Sequence, residues 1–421
     1  MTETSINIKV LELFAGVGGF RVGLERANED LGNEVFKVVW SNQWDPELIH
    51  QYASEIYVKH WGQDGHSSMD ISKVALDDIP QADLLVAGFP CQDYSVATGF
   101  KGKGIDGKKG VLWWELAKVI EHNAPDYLLL ENVDRLLGSP NGQKGRDFAI
   151  MLAKLNDLGY AVEWRVINAA EYGFPQKRKR VFIFGFKETA AICQSLPENL
   201  KEWLLTKGIF AKAFPHMEAT QQSSVAKEFT IDGEISFISN SFGKNQNKKI
   251  FLNSGFASKR RVIQLKSKHA YKGVSKFLGD ILQDNDVPEE FFIEDTDLIQ
   301  WRKVKDAKKL KRKSKQGFEY EYAEGAISFP DSQDKPARTI VTSEGGKSPG
   351  RMKHIIQTKD GKFRRLTPVE LERLNGFPDN HTLIEGISAS RRAFLMGNAL
   401  VTGIVQKFGC TLASELKHIL K

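Results

Sequence analysis

The chain has 421 residues, a formal net charge of +6, 41% hydrophobic residues and 27% charged residues, as expected for a globular protein of about two domains. Its three cysteines, Cys91, Cys193 and Cys410, are far apart and lack metal-ligand spacing, which argues against a disulfide framework or a zinc site, so no metal is predicted. Because the sequence has no charged-then-apolar leader and no apolar run of membrane-spanning length, we expect a cytoplasmic protein without a membrane partner.

The first predicted elements are a strand, a glycine-rich turn and a helix. The apolar run 6–13 leads into Phe14-Ala15-Gly16-Val17-Gly18-Gly19-Phe20, and a helix is predicted from residue 21. Such a turn allows the backbone to approach a nucleotide, although its glycine spacing differs from G-x-G-x-x-G and also fits a plain tight turn.

A second strand, 35–40, leads to Gln43-Trp44-Asp45-Pro46. Asp45-Pro46 predicts the start of a helix, and Trp44 is placed to stack on an adenine. Further along, Asp70 could cap a helix or accept from an exocyclic amine. Strands and helices alternate through this half of the chain, which predicts an α/β fold with a doubly wound parallel sheet.

The buried run 84–87 ends in Gly88-Phe89-Pro90-Cys91-Gln92. Ligands of open α/β sheets bind outside the carboxyl ends of the strands, where this Cys is placed. Taken alone, Cys91 is more typical of a structural cysteine, because free cysteines are among the most buried residues. Residues 98–110 follow with five glycines and four lysines, typical of a surface loop or of a basic lid over a polyanion.

Two further segments place charged side chains beside the same predicted sheet edge. The strand 127–130 ends in Glu131-Asn132-Val133, where a carboxylate is suited to proton chemistry. In Gln176-Lys177-Arg178-Lys179-Arg180, the alternating residues 176, 178 and 180 are predicted to share one strand face that points into the crevice.

Together these segments make the chain resemble the cytosine-5 DNA methyltransferases that use S-adenosylmethionine. The matching stretches are Leu13-Phe14-Ala15-Gly16-Val17-Gly18-Gly19-Phe20, Gly88-Phe89-Pro90-Cys91-Gln92, Glu131-Asn132-Val133, Gln176-x-Arg178-x-Arg180 and Gly397-Asn398-Ala399. All five occur in the family order, over roughly residues 6–186 and 335–421.

The resemblance implies a role for each catalytic residue. Cytosine C5 is a poor nucleophile, so Cys91 would first add to C6 as a thiolate. Glu131 would protonate or hydrogen-bond N3, and Arg180 with Arg178 would hold O2 and support Glu131. The target base must be flipped out of the duplex for this chemistry. No side chain in the sequence identifies the base that removes the C5 proton.

The resemblance also implies a binding site for S-adenosylmethionine, with S-adenosylhomocysteine as product. Its expected residues are Phe14, Ala15, Gly16, Gly18, Gly19, Gln43, Trp44, Asp70, Pro90, Asn398 and Ala399. Gln43 stands where the family usually has an acidic residue that accepts from the ribose hydroxyls, so we expect weaker ribose binding.

The middle of the chain carries the positive charge. Residues 241–317 hold 19 Lys and Arg against 9 Asp and Glu, a net of +10, which leaves −4 for the rest. We therefore expect residues 1–186 and 335–421 to form the catalytic domain and 187–334 a target-recognition domain for double-stranded DNA, with a solvated face as the alternative. The predicted DNA contacts are Lys101, Lys103, Lys259, Arg260, Arg261 and Arg338.

The favoured function is site-specific DNA methylation by a monomer in the cytoplasm at the nucleoid, protecting host DNA from a separately acting restriction endonuclease. A tRNA cytosine-5 methyltransferase is the alternative enzyme, and a non-catalytic DNA-binding relative is the alternative from another class. The intact Cys91, Glu131, Arg178 and Arg180 argue against the latter. A Rossmann dehydrogenase does not fit, because the glycine spacing lacks its fingerprint.

Overall fold

The computed structural model describes residues 6–89, 111–219, 227–246, 248–284, 287–313 and 319–420. The chain divides into two units. The first comprises Met1–Tyr172, Lys179–Gly273 and Leu400–Lys421, and the second comprises Gly173–Arg178 and Val274–Ala399. Both units are therefore assembled from separate pieces of chain.

A ten-stranded sheet forms the centre of the first unit, in the order β3-β2-β1-β4-β5-β7-β6-β10-β11-β9. The strands are β1 (Ile8–Leu13), β2 (Phe36–Asn42), β3 (His66–Ser67), β4 (Leu84–Gly88), β5 (Tyr127–Val133), β6 (Tyr160–Asn168), β7 (Lys179–Lys187), β9 (Lys227–Thr230), β10 (Ser254–Ser258) and β11 (Arg261–Leu265). The short strands β8 (His216–Glu218) and β12 (Ser267–His269) pair with each other outside this sheet.

Helices cover both faces of the sheet, as the doubly wound prediction requires. They are α1 (Gly19–Leu31), α2 (Tyr52–Trp61), α3 (Val111–Asn123), α4 (Arg146–Asp157), α5 (Leu200–Glu202), α6 (Ile209–Ala213), α7 (Ile235–Ser241) and, from the end of the chain, α11 (Thr402–Ile419). Apolar side chains of α3 and α4 share a core with Leu85 and Leu128. On the other face, Phe408 of α11 packs against Phe184 of β7, so the C-terminal helix belongs to the first unit.

The sheet is parallel in one half and antiparallel in the other. Strands β3, β2, β1, β4 and β5 pair in parallel, whereas every pairing from β5–β7 to β11–β9 is antiparallel. Parallel neighbours need a crossover of a dozen residues or more. The connection from β6 to β7, residues 169–178, contains only a single 3-10 turn, so these strands pair as antiparallel neighbours.

Three strands of the middle segment extend this sheet. The sequence of residues 187–334 lacks a βα rhythm, yet β10 pairs with β6, and β11 and β9 follow outward. A tight turn joins β10 to β11 through Lys259 and Arg260, both with positive φ (47° and 68°). Antiparallel hairpins need no crossover helices, which explains why the repeat pattern of the parallel half is missing here.

The second unit contains the remaining elements: α8 (Asp295–Lys305), β13 (Lys308–Lys313), β14 (Glu319–Glu324), β15 (Ile355–Gln357), β16 (Phe363–Arg365), α9 (Pro368–Asn375) and α10 (Ala389–Asn398). Strands β13–β14 and β15–β16 form two antiparallel pairs. Helix α9 begins with a capping box, since the Thr367 side chain accepts the N–H of Glu370 and the Glu370 side chain accepts that of Thr367. Glu370 also forms a buried ion pair with Arg364 at 2.7 Å.

Candidate active site

The carboxyl ends of β4 and β5 lie side by side at one edge of the sheet, where the predicted catalytic residues follow these strands. Gly88 pairs with Glu131, and a side chain at Gly88 would lie 3.7 Å from Glu131 Oε2. Asn132 Nδ2 donates to the carbonyl oxygen of Phe89 at 3.2 Å, fixing the last described residue of this segment. Pro90 and Cys91 follow directly in the sequence but lie outside the described residues, as do Lys101 and Lys103.

Glu131 and Arg180 form an ion pair at this edge. Arg180 Nε lies 3.0 Å from Glu131 Oε1, and the side chains are 17% and 12% exposed. The register of β5 with β7 places Val133 opposite Arg180, so the two charged side chains lie diagonally on one face of adjacent strands. The guanidinium therefore holds the carboxylate in a fixed direction while a small part of it stays accessible.

The expectation that residues 176, 178 and 180 share a strand face is wrong. Strand β7 begins at Lys179, and residues 173–178 belong to the second unit. Gln176 there donates to Asn375 Oδ1 at 2.8 Å and accepts from the N–H of Ile340, and Arg178 donates to the carbonyl oxygen of Gly397 at 2.9 Å. A backbone bridge between Gln176 and Ala337 draws the chain out of the strand path.

The glycine-rich turn between β1 and α1 is strongly bent. Phe14, Gly16 and Gly18 have φ values of 53°, 57° and 81°. A Cβ at Gly18 would lie 2.3 Å from the ring of Trp61, so this glycine is required by packing within the protein. At Gly16 a Cβ would meet nothing within 4 Å, so open space lies in front of this residue. Between these glycines and Phe14, Ala15 is buried, and Gly19 begins α1.

Gln43 contacts this turn directly. Its Oε1 accepts the N–H of Gly16 at 2.7 Å, so the side chain that replaces the expected carboxylate supports the turn. Trp44 follows and is partly exposed. Asn42 Nδ2 donates to the carbonyl oxygens of Ser67 and Met69, which ties the segment before Asp70 to the end of β2.

Asp70 has a structural contact of its own. Its Oδ1 accepts from the backbone N–H and the hydroxyl of Ser72, at 3.1 and 2.9 Å, as the N-cap of a 3-10 turn. Thus one carboxylate oxygen is engaged in the cap. Asn398 and Ala399 lie at the end of α10 in the second unit.

All the predicted DNA-contacting residues that the structure describes are engaged in ion pairs. In the first unit, Lys259 pairs with Glu188 at 3.5 Å, Arg260 with Asp157 at 2.6 Å and Arg261 with Glu228 at 2.7 Å. In the second unit, Arg338 binds both oxygens of Asp331 at 2.9 and 3.1 Å. The turn 259–260 follows Ser258 at the edge of the sheet where β6 and β5 begin, beside Ala161 and Tyr127. Glu131 lies at the opposite edge. The structure therefore does not bring Lys259, Arg260 and Arg261 together with Glu131.

A buried polar cluster beneath the turn was missed by the sequence analysis. Glu12 of β1 is fully buried and accepts from the N–H of Arg21 at 3.3 Å and from Tyr57 Oη at 3.0 Å. Burial raises the pKa of Glu12 to about 7. The available signal was a charged residue inside an otherwise apolar strand. Through Arg21, this cluster anchors the first turn of the helix that follows the glycines.

In the described part of the chain, no group of His, Cys, Asp and Glu side chains has the arrangement of a metal site. The helices of the same described residues include none with the length and apolar character needed to cross a membrane.

Comparisons with known proteins identify similar methyltransferases. The chain is 44% identical over 406 residues to the Type II methyltransferase M.Sau3AI of Staphylococcus aureus, covering 96% of this chain and 94% of that protein. It is 37% identical over 180 residues to the Type II methyltransferase M.NgoBI of Neisseria gonorrhoeae, a match that spans 43% of this chain and 51% of that protein.

Solved structures show the same fold. The Entamoeba histolytica methyltransferase EhMeth superposes with a TM-score of 0.57 at 17% identity, covering 97% of this chain and 99% of that one. The S. pombe Dnmt2 methyltransferase has a TM-score of 0.57 at 16% identity, with coverage of 97% and 99%. Residues 8–413 match the family described as C-5 cytosine-specific DNA methylase. The chain belongs to this family.

Proposed function

We propose that the chain methylates C5 of a cytosine at one short sequence in duplex DNA, as the modification enzyme of a restriction-modification system. The observation that carries the proposal is the Glu131–Arg180 pair, at 3.0 Å, beside the strand that leads to Cys91. The whole-length similarity to a Type II methyltransferase supports the biological setting. In this setting the protein acts as a monomer, and a cognate restriction endonuclease cleaves unmodified DNA separately.

The residues at the glycine-rich turn fit S-adenosylmethionine. The open space at Gly16 leaves room for a ligand against the backbone, and Gln43, Trp44 and Asp70 line the adjacent strand ends. When bound, this cofactor supplies an activated methyl group on a sulfonium. We propose that Phe14 and Trp44 contact its adenine and that Asp70 accepts from the adenine amino group through the oxygen not used by Ser72. The family resemblance of the sequence also assigns Pro90, Asn398 and Ala399 to cofactor binding.

The chemistry of the base is assigned to Cys91 and Glu131. The Cys91 thiolate forms a bond to C6, which moves the electron pair of the C5–C6 double bond toward C5 and N3. Glu131 donates a proton or a hydrogen bond at N3, and Arg180 keeps the carboxyl group aimed there. After C5 accepts the methyl group, loss of the C5 proton and breakage of the C6–S bond restore the aromatic ring and release Cys91.

Reaching C5 and C6 requires extrusion of the base from the duplex. We propose that Lys101 and Lys103 contact phosphates beside the extruded nucleotide. Target recognition is assigned to residues 187–334, the part of the chain with the basic excess. Direct readout would use the major groove, where each base pair presents a distinct pattern. Methylation of tRNA is not favoured, because a relative that is 44% identical over 96% of the chain is a Type II methyltransferase.

The test is methylation of mixed-sequence duplex DNA with S-adenosylmethionine, mapped by bisulfite sequencing, with tRNA as a parallel substrate. We expect 5-methylcytosine at one recurring short motif, none with Cys91→Ser, and a 10²–10⁴-fold lower rate with Glu131→Gln. Lys118→Gln, which alters an exposed helix position, serves as the control and should retain wild-type rate. Methylation of tRNA alone, or full activity of Cys91→Ser, would overturn the proposal.

A further inference from the structure

A second basic surface lies on the first unit, beside the active-site edge, and has no role in the mechanism above. It consists of Arg135, Lys144, Lys244, Lys248 and Lys249, and we call it the carboxyl-edge basic surface. Arg135 and Lys144 follow β5, in residues 134–145. The other three lie between α7 and β10, in residues 243–246 and 248–250.

The two segments are joined through their backbones. Lys144 N donates to the carbonyl oxygen of Gly243 at 3.1 Å, and Gln143 forms an isolated bridge with Lys244. Gln143 Nε2 also donates to the carbonyl oxygens of Ser239 and Phe242, at 3.1 and 3.3 Å. Gly243 has a φ of 71°, and a Cβ there would lie 2.4 Å from the carbonyl oxygen of Lys144, so only glycine fits this approach.

Aromatic packing fixes the surface to the core. Phe251, at the end of the second segment, is 2% exposed and packs edge-on against Phe148 and Trp164, with ring centroids 4.9 and 5.8 Å apart. Phe242, just before the segment, stacks on Phe251 at 5.9 Å. The residues on both sides of these lysines, Phe242 and Phe251, are therefore fixed by packing against the core.

In the part of the chain that the structure describes, the charges of this surface lack carboxylate partners. Among the described residues, none of its five cations forms an ion pair with a carboxylate, and Lys144 Nζ instead contacts the amide oxygen of Asn141. Asp134 is the single acidic residue in segments 134–145 and 243–250. By contrast, Lys259, Arg260 and Arg261 each pair with a carboxylate at 2.6–3.5 Å.

The strand register places the two basic groups at opposite edges. Val133, Arg180 and Ile167 lie side by side at the edge of Glu131, and β10 begins there with Ser254 opposite Arg165. Residues 243–246 and 248–250 precede β10 and therefore lie at this edge. A Cβ at Gly138 would be 3.2 Å from the Lys249 side chain. The turn 259–260 follows β10 at the other edge.

We propose that the carboxyl-edge basic surface binds phosphates of the duplex whose cytosine is methylated, and that the 259–261 turn does not. The proposal rests on the proposed function for the identity of the polyanion. Cations without carboxylate partners can neutralise phosphates and release condensed counterions, whereas paired cations would first have to give up their ion pairs. Arg135 and Lys144 would contact the DNA phosphates nearest Glu131. Lys244, Lys248 and Lys249 would extend this contact along the DNA backbone.

Matched variants separate the two basic groups. Lys244→Gln with Lys248→Gln removes two charges from the surface and leaves Lys249, whose aliphatic stem contacts Gly138. Lys259→Gln with Arg261→Gln removes the same charge from the opposite edge and leaves Arg260. The dissociation constant for a fluorescent duplex is measured across a series of salt concentrations. Each lost phosphate contact lowers the slope of log Kd against log [salt] by about 0.9. We therefore expect the slope to fall by about 2 in the Lys244/Lys248 variant and to stay unchanged in the Lys259/Arg261 variant.

A wild-type slope in the Lys244/Lys248 variant, or an equal reduction in both variants, would overturn the proposal. The methylation assay keeps this result distinct from failure of the proposed function. If the wild-type protein methylates DNA and the Lys244/Lys248 variant keeps the wild-type slope, only the proposed role of the carboxyl-edge basic surface is refuted. A reduced slope specific to that variant, in a protein that transfers no methyl group, upholds the surface and refutes the function.

Discussion

The side chain of Gln43 binds the glycine-rich turn through its oxygen, which accepts the N–H of Gly16 at 2.7 Å. We predict that Gln43→Glu lowers the cofactor dissociation constant about fivefold. A carboxylate can keep the bond to Gly16 and offer its second oxygen to a ribose hydroxyl, and charge-assisted hydrogen bonds are roughly twice as strong as neutral ones. Isothermal calorimetry with S-adenosylmethionine measures the change.

Gln43→Ala is the matched control, because it removes the bond to Gly16 and should weaken cofactor binding. An unchanged or higher dissociation constant for Gln43→Glu would show that this side chain does not reach the ribose.

Glu12 gives a second test on the scale of single residues. Burial raises its pKa from 4.5 to about 7, so between these values the folded protein holds a proton that the unfolded chain has released. The contribution of Glu12 to the free energy of unfolding therefore falls as pH rises through this interval. In Glu12→Gln the side chain stays neutral, so the variant should gain stability relative to wild type between pH 5 and pH 8.

Urea unfolding of both proteins at the two pH values measures this difference. His66, which stacks on Tyr57, has a pKa lowered by burial to about 4, and stability from this group is lost as pH falls below 6.5. Because His66 is present in both proteins, its effect cancels in the comparison. An equal change in wild type and variant would mean that Glu12 does not take up a proton on folding.

At the scale of elements, the contact between α1 and α11 depends on Gly23. A Cβ at this position would lie 2.6 Å from Val405 Cβ and 2.7 Å from the carbonyl oxygen of Thr402. We predict that Gly23→Ala destabilises the protein by about 1–3 kcal/mol through overpacking, although alanine is the better helix former by about 1 kcal/mol. Thermal unfolding measures the loss.

Gly142→Ala is the control for this variant, because a Cβ there meets nothing within 4 Å. If the Gly23→Ala protein is as stable as wild type, α1 and α11 can move apart to accept the methyl group with no loss in the free energy of unfolding.

Elements were predictable where the signal is local. The strands at 84–87 and 127–130 and the helix from Arg146 agree with the sequence pattern, because apolar periodicity reflects burial directly. The helix expected at Asp45-Pro46 instead begins at Tyr52, since Gln51 Nε2 donates to the carbonyl oxygens of Asp45 and Leu48 and holds a turn. The addition of β9, β10 and β11 to the sheet depends on long-range pairing that no short window contains.

The same distinction applies to the candidate site. Glu131 and Arg180 come together as predicted, because their motifs end and begin adjacent strands. The binding of Gly16 by Gln43, and the pairing of Lys259, Arg260 and Arg261 with carboxylates, join residues far apart in sequence. A run of cations therefore reveals the amount of charge, and only the fold reveals whether that charge is neutralised.

For the whole molecule, the first unit depends on the last helix of the chain. Helix α11 buries Ile404, Val405, Phe408, Leu412 and Leu416. At about 1.5–3 kcal/mol for each buried side chain, their sum is comparable to the 5–15 kcal/mol stability of a typical domain. We predict that deletion of residues 402–421 abolishes cooperative unfolding and methylation together.

Calorimetry and the methylation assay on the truncated chain test this expectation. Deletion of residues 420–421 alone is the control, because Leu420 is 54% exposed, and it should leave both properties intact. A 402–421 deletion that unfolds cooperatively near the wild-type temperature would show that the sheet is stable without α11.

The return of the chain to the first unit at Leu400 also orders events during synthesis on the ribosome. While the nascent chain is growing, the surfaces of α1 and Phe184 that α11 covers remain exposed until α11 itself has been translated. The first unit therefore completes its core only after residues 402–419 have been translated, and shorter chains expose apolar surface to chaperones and proteases. Synthesis of α11 thus becomes a condition for a folded first unit, and we expect chains that stop before residue 402 to be degraded rather than to accumulate.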